Sequence, residues 1–199
     1  MNYLAHLYLS EPDDDALLGS LMGDFVKGPL DVRYAPAIMH GIALHRRIDT
    51  FTDAHPVVRA SKARVSAERR RYAGIMVDMF YDHFLARYWT EFSEEPLSSF
   101  THRVYELLSR RNEVLPARLR EMAPHMMRTD WLGSYAQVES IRTALGNMGR
   151  RLKRENRLLD SADELERNYA GFEQDFRAFL PEVKRFARRE FTARPAAGA

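Results

Sequence analysis

The chain has 199 residues, which is enough for one domain or at most two small ones, and its 45% hydrophobic content indicates a globular protein. The 30 basic and 28 acidic residues give a net charge of +2, which argues against a dedicated nucleic-acid-binding protein. Because cysteine is absent, disulfides, thiolate catalysis and Cys-ligated metals are excluded, so His, Asp or Glu must bind any metal, which favours Mn²⁺ or Mg²⁺.

The first helix signal lies near the N-terminus. Asp13 can cap a helix whose apolar residues recur every four positions through Phe25, and Gly28-Pro29 predicts its end. Pro36 predicts the start of a second helix, and His55-Pro56 marks the exit from it.

The remainder of the chain is also predicted to be helical. A basic helix is expected near 57–71, and the further helices are expected near 73–92, 98–114, 117–127, 134–147, 149–179 and 182–192. Pro181 predicts the start of the last of these. Sustained period-2 alternation, hairpin signals and fixed-period repeats are absent. The pattern predicts one all-α domain, a helical bundle over 1–192, with a disordered tail at 193–199.

The sequence contains no run close to the roughly 20 apolar residues that a membrane span needs. The N-terminal segment lacks a basic region and turns acidic after about ten residues, which is not typical of a signal peptide. We therefore expect a cytoplasmic protein without a membrane partner.

Charge is distributed unevenly along the chain. Residues 1–58 hold 8 acidic and 4 basic residues, whereas the basic excess lies further on. The basic runs are Arg69-Arg70-Arg71, Arg150-Arg151-Lys153-Arg154 and Lys184-Arg185-Arg188-Arg189. This arrangement suits an acidic metal site with basic surroundings for an anionic partner, and it equally suits helix faces that are simply solvated.

Metal-ligating residue types with helical spacing occur at five places: His6, Asp24, His45 with Asp49, Asp78 with Asp82, and His83. Residues four apart lie on one helix face, so each of the two pairs can point at one ion. A carboxylate in an apolar helix is costly to bury alone, and a divalent cation relieves the repulsion between two of them.

Each of these candidates also has a structural interpretation. His6 can be a core or capping histidine, Asp24 a turn residue, and Asp78 with Asp82 an exposed pair. Asp49 can pair with a neighbouring arginine instead of a metal. Phosphate-binding glycine loops and the Gly-x-Ser-x-Gly motif are absent, so a helical His/Asp metal site that hydrolyses a phosphoester is the best chemical interpretation.

Short motifs along nearly the whole chain resemble, in order, those of the acyl carrier protein phosphodiesterases. The motifs are Asn2-Tyr3-Leu4-Ala5-His6-Leu7, Gly23-Asp24-Phe25-Val26-Lys27-Gly28, Gly41-Ile42, His45-Arg46-Arg47-Ile48-Asp49, Thr52-Asp53, Asp78 to Trp89, Trp131-Leu132, Tyr135, Asn147-Met148 and Arg150-Arg151. The resemblance implies hydrolysis of the phosphodiester that joins 4′-phosphopantetheine to a serine of holo-acyl carrier protein. It also implies a divalent cation, Mn²⁺ favoured, and an HD-like helical fold, although Asp82-His83 reverses the His-Asp order of that signature.

On this hypothesis the candidate residues take distinct roles. The metal ligands are expected among Asp24, His45, Asp49, Asp78 and Asp82. Arg46 or Arg47 would hold the phosphodiester oxygens, and His83 or His6 would give a proton to the departing serine oxygen. The acidic carrier protein would be steered by Arg69, Arg70, Arg71, Arg150, Arg151 and Arg154.

Two other functions remain open at this point. One is an HD-like phosphohydrolase of a nucleotide such as a guanosine polyphosphate, which would share the metal. The other is a helical interaction protein without enzymatic activity, whose acidic residues cap helices and form ion pairs.

Overall fold

The computed structural model describes residues 1–30, 33–152 and 156–192. Within these residues the chain forms eleven α-helices, three 3-10 helices and no strand, which confirms the all-α prediction. The α-helices are α1 Tyr3–Tyr8, α2 Asp14–Met22, α3 Pro36–Ala54, α4 Pro56–Arg64, α5 Ala73–Arg87, α6 Leu97–Arg110, α7 Ala117–Arg128, α8 Trp131–Ser134, α9 Val138–Arg151, α10 Ala162–Arg167 and α11 Tyr169–Thr192. The 3-10 helices are Ala67–Tyr72, Trp89–Glu91 and Asn112–Val114.

Helices α2 and α3 pack backbone against backbone, because glycine occupies the contact on both sides. A Cβ atom at Gly19 would lie 2.1 Å from the carbonyl oxygen of Ile38, and one at Gly41 would lie 2.2 Å from that of Ala16. Only residues without a side chain permit this distance. The close approach brings the C-terminal end of α2 against the middle of α3.

Helix α5 runs through the core and contacts α1, α4, α9 and α11. Most of its residues are buried on every side, as expected for a central helix that is apolar all round. Two of its buried residues are polar rather than apolar: Asp82 and His83 are both essentially inaccessible to solvent. The buried apolar side chains of the described residues form one cluster that extends from Met1 to Ala187.

The first two predicted helices are confirmed apart from one boundary. The Asp13 side chain accepts a hydrogen bond from the Ala16 N–H at 2.9 Å, so it caps α2 as expected, and α3 begins at Pro36. However, α2 ends at Met22 and does not reach Phe25, because the chain turns where the His45 ring packs against Gly23.

Three predicted helices in the middle of the chain are shorter than expected, and a fourth begins later than expected. The basic helix near 57–71 breaks at Val65, which adopts an extended conformation and buries its side chain in the core. The helices near 73–92 and 98–114 each end in a separate 3-10 turn. The helix expected from 134 begins only at Val138, after the short α8.

The prediction of one helix over 149–179 and another beginning after Pro181 is wrong. Helix α9 ends at Arg151, and the side chain of Asn156 donates a hydrogen bond to the Gly149 carbonyl at 2.9 Å. Pro181 lies inside α11, which continues through it because the apolar stripe around Phe179 and Val183 stays buried. The predicted tail, 193–199, lies outside the described residues. Among the helices that are described, none has the length and apolar character needed to cross a membrane.

Candidate active site

Helix α1 is held by a carboxylate from another helix. Asp82 on α5 accepts hydrogen bonds from the backbone N–H groups of Leu4 and Ala5, at 2.8 and 3.1 Å. Asp82 therefore satisfies N–H groups that the first turn of any helix leaves free. Burial raises the pKa of Asp82 to about 7, although these two hydrogen bonds oppose the rise. This arrangement fixes α1 and the histidine that it carries, His6.

The second histidine, His45, is positioned by the contact between α2 and α3. Its Nδ1 atom lies 2.8 Å from the Ser20 carbonyl oxygen, to which a protonated Nδ1 donates. A Cβ atom at Gly23 would lie 2.2 Å from the imidazole ring, so glycine leaves the space that the ring occupies. The Nε2 atom of His45 consequently faces two carboxylates, Asp49 at 3.3 Å and Asp24 at 3.6 Å.

The two imidazole rings stack on each other. Their centroids are 3.7 Å apart with an interplanar angle of 15°, and His6 Nε2 lies 3.0 Å from Asp49. Among the described residues, the buried Nδ1 atom of His6 has no hydrogen-bond partner. One potential ligand atom from each of His6, His45 and Asp49 lies within 4.8 Å of the others. We call these three residues the histidine cluster.

The histidines have opposite electrostatic environments. Burial and the neighbouring His45 lower the pKa of His6 to about 4. Burial also acts to lower the pKa of His45, but the hydrogen bonds to Asp24 and Asp49 outweigh it and raise that pKa to about 9. Burial would raise the pKa of Asp49, yet the two histidines hold it far below its usual range. The site strongly favours positive charge between the carboxylates.

A positive group already lies at the mouth of the site. The ammonium group of Met1 is 3.2 Å from Asp78 and 3.4 Å from Asp49. Burial acts to lower its pKa, but the two carboxylates raise it to about 10. Burial raises the pKa of Asp78, while the ammonium group opposes the rise.

A cavity of about 290 Å³ opens beside these groups. Its lining includes Asp24 and Asp78, and both carboxylates are partly exposed. Volumes near 300 Å³ are at the lower end of small-molecule sites, so part of a larger substrate can enter here. The cavity offers carboxylate oxygens to a ligand, and one of its lining residues, Asp24, lies 3.6 Å from His45 Nε2, so the cavity adjoins the histidine cluster.

The structure gives other partners to three of the predicted catalytic residues. His83 is buried, with Nδ1 2.8 Å from the Tyr135 carbonyl and Nε2 2.9 Å from the Tyr169 hydroxyl. Arg46 donates to the Val26 carbonyl at 2.9 Å, so it holds the loop that follows Asp24. Arg47 is exposed and pairs with Glu190. Of the predicted catalytic residues, only His6 is in the cluster.

The predicted metal ligands divide into three groups. His45, Asp49 and Asp24 come together, and Asp78 lies across the Met1 ammonium group from Asp49. Asp82 is four residues from Asp78 as expected, but both of its oxygens bind the backbone of α1.

The basic runs also have different environments. Arg69 pairs with the buried Glu164 at 3.0 Å, and Arg70 donates to the Val65 carbonyl. These two arginines stabilise their own chain, whereas Arg71 is exposed. Arg150 donates to Asn147, Arg151 lines a second cavity, and Arg154 lies outside the described residues.

Sequence reasoning missed several contributors. The Met1 ammonium, Ser20, Gly23 and Asn2 support the site without being ligand types, and Asn2 donates to the Tyr135 hydroxyl at 3.0 Å. The spacing of small residues could have revealed the close α2–α3 contact. The backbone and ammonium contacts leave no pattern in the sequence.

Comparison with known proteins agrees with this picture. The sequence profile of a family described as acyl carrier protein phosphodiesterase matches residues 1–183. A protein of that name from Serratia proteamaculans is 38% identical over 189 residues, covering 94% of this chain and 98% of its own length. One from Salmonella agona is 35% identical over 191 residues, covering 96% and 99%. No solved structure shows a significant match. The chain therefore belongs to the acyl carrier protein phosphodiesterase family, a family of phosphoric diester hydrolases.

Proposed function

We propose that this chain hydrolyses the phosphodiester that joins 4′-phosphopantetheine to the serine of holo-acyl carrier protein, and that it needs a divalent cation, with Mn²⁺ preferred. Family membership supports the reaction over the nucleotide and non-enzymatic alternatives. The observation that carries the site assignment is the pair of stacked imidazoles beside Asp49.

The histidine cluster fits a divalent cation by its chemistry. Two imidazoles and a carboxylate can hold a divalent first-row metal ion, and the second carboxylate beside them, Asp24, favours a harder ion such as Mn²⁺. The Nε2 atoms of His6 and His45 lie 3.0 and 3.3 Å from Asp49, and the buried Nδ1 atom of His6 has no partner among the described residues, so the bonding of the cluster is incomplete. His6, His45 and Asp49 would hold the cation, with Asp24 beside them. When bound, the cation would polarise the phosphoryl group and make a water molecule more acidic.

Neighbouring groups of the chain keep these side chains in place. The Ser20 carbonyl oxygen orients His45 through Nδ1, which leaves Nε2 facing the carboxylates. Asp82 orients His6 indirectly, because it anchors the first turn of α1. The proposal thus assigns Asp82 to positioning and His6 to the cation rather than to proton transfer.

The carrier protein would meet a basic surface beside the cavity. Arg150 and Arg151 end α9, and Arg151 lines the adjoining cavity. Charges of this kind steer an acidic protein and are screened by salt. We extend the proposal to the cytoplasm, the compartment expected from the sequence.

Mass spectrometry of the carrier protein tests this function directly. Chelator-treated protein should leave holo-acyl carrier protein unchanged, and added Mn²⁺ should convert it to the apo form. Asp49→Asn should abolish conversion. The matched control is Asp53→Asn, since Asp53 lies on the same helix but is exposed and pairs with Lys62. Conversion by Asp49→Asn at the wild-type rate, or full conversion without metal, would reject the proposal.

A further inference from the structure

A groove leads away from the acidic cavity beside Asp24 and Asp78. This cavity and a second one of about 320 Å³ share four lining residues: Tyr3, Ile75, Arg118 and Met148. The second cavity and a third of about 330 Å³ also share four: His125, Trp131, Ala144 and Asn147. The second and third cavities together form what we call the α7–α9 groove, which continues directly from the candidate active site.

The α7–α9 groove exposes apolar surface that the fold does not cover. Three large hydrophobic side chains of the described residues are exposed, and two of them, Ile75 and Leu152, line the groove. The Trp131 ring makes edge contacts with Tyr3 at 6.5 Å and His125 at 5.9 Å between centroids. Exposed apolar surface gathered in one groove is typical of a binding site.

The far end of the groove is rich in hydrogen-bonding groups. The third cavity is lined by the hydroxyl side chains Thr129, Ser134, Ser140 and Thr143, with Asn147 beside them. The groove therefore runs from the cavity lined by Asp24, Asp78 and Arg118, past apolar and aromatic side chains, to hydroxyl and amide groups with the carboxylate of Glu139 among them. An elongated ligand with an anionic head, an aliphatic segment and amide groups matches this order where Arg118 offers the head a positive charge.

Arg118 lies where the acidic cavity joins the groove. It is exposed, and among the described residues its guanidinium makes neither an ion pair nor a side-chain hydrogen bond. Burial and the charge of Asp24 raise the pKa of Tyr3, while Arg118 and Arg151, which line the second cavity together with Tyr3, act to lower it. A guanidinium without a partner is suited to a phosphate oxygen pair.

We propose that Arg118 binds the phosphodiester anion of the substrate and that the α7–α9 groove holds its pantetheine arm. This inference rests on the proposed function, because that function supplies the substrate. The arm carries a geminal dimethyl group next to the phosphate and two amides beyond it. The dimethyl group lies against Ile75 and Met148, and the amides meet the hydroxyl and amide groups of the third cavity.

Charge and continuity favour this occupant over a protein segment. The groove begins at the carboxylates that line the acidic cavity, so the bond to be cleaved and the arm enter as one ligand. Arg118 and Arg151 place two positive charges at the phosphate end of the groove. At the opposite end, His125 is the one basic residue that lines the third cavity. A peptide of the carrier protein would be the competing occupant.

Calorimetric titration of the purified protein with 4′-phosphopantetheine and with pantetheine separates the two parts of the proposal. Arg118→Gln should weaken binding of the phosphorylated compound about tenfold to a hundredfold, as expected for a charged hydrogen bond, and leave pantetheine binding unchanged. The matched control is Arg128→Gln, an exposed arginine on the same helix that lines none of these cavities. Equal binding of both compounds by wild type and Arg118→Gln would overturn the role of Arg118.

Substitutions that fill the α7–α9 groove test whether the pantetheine arm binds there. Ala144→Phe places a ring in both groove cavities and should weaken binding of both compounds at least tenfold, whereas Ala178→Phe, on an exposed face of α11, should not. Ile75→Glu, at a side chain that is already 41% exposed, repeats the test without altering the core. Unchanged binding in both groove variants, or no binding of either compound by wild type, would overturn the proposal.

Conversion of holo-acyl carrier protein distinguishes this inference from the proposed function. If wild type with Mn²⁺ forms the apo protein and Ala144→Phe shows an unchanged KM, the function stands and the groove assignment is wrong. If the groove variants lose binding but wild type never forms the apo protein, the groove assignment stands and the proposed function is wrong.

Discussion

Two polar clusters in this molecule each contain a carboxylate among buried side chains, but they differ in how completely their groups are hydrogen-bonded. In the cluster between α4 and α11, Asp175 accepts from Ser61 at 2.7 Å and from Arg64 at 2.8 Å, and Ser61 meets the Tyr81 hydroxyl at 2.8 Å. Each of these groups has a partner. In the histidine cluster, by contrast, a buried imidazole nitrogen has none among the described residues.

The difference separates a structural network from a ligand site. Buried polar groups in folded proteins are almost always hydrogen-bonded, so a network that is complete within the chain stabilises the fold. The histidine cluster adjoins a cavity through Asp24, and the carboxylates of Asp24, Asp49 and Asp78 lie close to two imidazoles and one ammonium group. Its incomplete bonding supports the assignment to a cation, which is carried by the stacked imidazoles beside Asp49.

The largest effect should come from Asp82→Ala, at the border of the histidine cluster. The substitution leaves two buried N–H groups of α1 without an acceptor, at a cost of about 2–5 kcal/mol in the free energy of unfolding. Because α1 carries His6, activity should fall as well. Denaturant unfolding with an activity assay checks both, and Asp82→Asn, which keeps one acceptor oxygen, should recover part of each loss. An unfolding free energy equal to wild type would refute the anchoring role.

Asp175→Ala should break the complete network and leave the site intact. Ser61 and Arg64 lose an acceptor, which should lower the free energy of unfolding by about 1–3 kcal/mol. Turnover per folded molecule should stay at the wild-type value, because this network does not contact the histidine cluster. Denaturant unfolding measures the free energy of unfolding, and steady-state kinetics measures kcat. A fall in kcat without a loss of stability would show that this network serves the active site and not the fold.

Gly23→Ala should damage the histidine cluster by displacing one ring. The added Cβ atom cannot share the space of His45, and a shift of about 1 Å in a catalytic group can cost up to a hundredfold in rate. We expect kcat to fall about tenfold to a hundredfold by the same principle. Gly74→Ala is the control, since a Cβ atom there meets only Lys62 at 3.8 Å. Wild-type kcat in Gly23→Ala would show that the ring position is not critical.

The smallest effect is expected at the ion pair between Glu164 and Arg69, where the buried carboxylate is also fully hydrogen-bonded. Burial would raise the pKa of Glu164, but hydrogen bonds from Ser66 and Arg69 outweigh it and hold that pKa below its usual value. A lowered pKa contributes stability above the ordinary carboxyl range, and this contribution is lost as pH falls through the folded-state pKa. Glu164→Gln should therefore show a shallower loss of stability in acid. Superimposable stability curves for the two proteins between pH 7 and 3 would contradict the assignment.

Local signals predicted the fold where the chain obeys local rules. The Asp13 cap and the Pro36 helix start were both predictable, because capping and proline preferences act within a few residues. Pro181 misled the prediction, since tertiary packing of α11 overrides the local cost of a proline. The break at Val65 likewise follows from burial in the core, which no local pattern encodes.

The site was predictable in its ligand types and in one spaced pair. Helical spacing correctly brought His45 and Asp49 to one face. The same spacing placed Asp82 with Asp78, yet the α1 backbone, distant in sequence, takes both oxygens of Asp82. The environments of His83 and Arg47 depend on Tyr135, Tyr169 and Glu190, which lie 52 or more positions away.

Mn²⁺ binding by the purified protein tests the central claim, that the incompletely bonded histidine cluster is a cation site. Titration at pH 8 should give saturable binding to wild type, at least tenfold weaker binding to His45→Gln, and unchanged binding to Ser61→Ala from the complete network. Because the pKa of His45 in the metal-free site is raised to about 9, the ion must displace a proton from it, so the affinity of wild type for Mn²⁺ should fall progressively as the pH falls below that value. If His45→Gln binds Mn²⁺ as tightly as wild type and with the same acid dependence, His45 is not a ligand and the account is wrong.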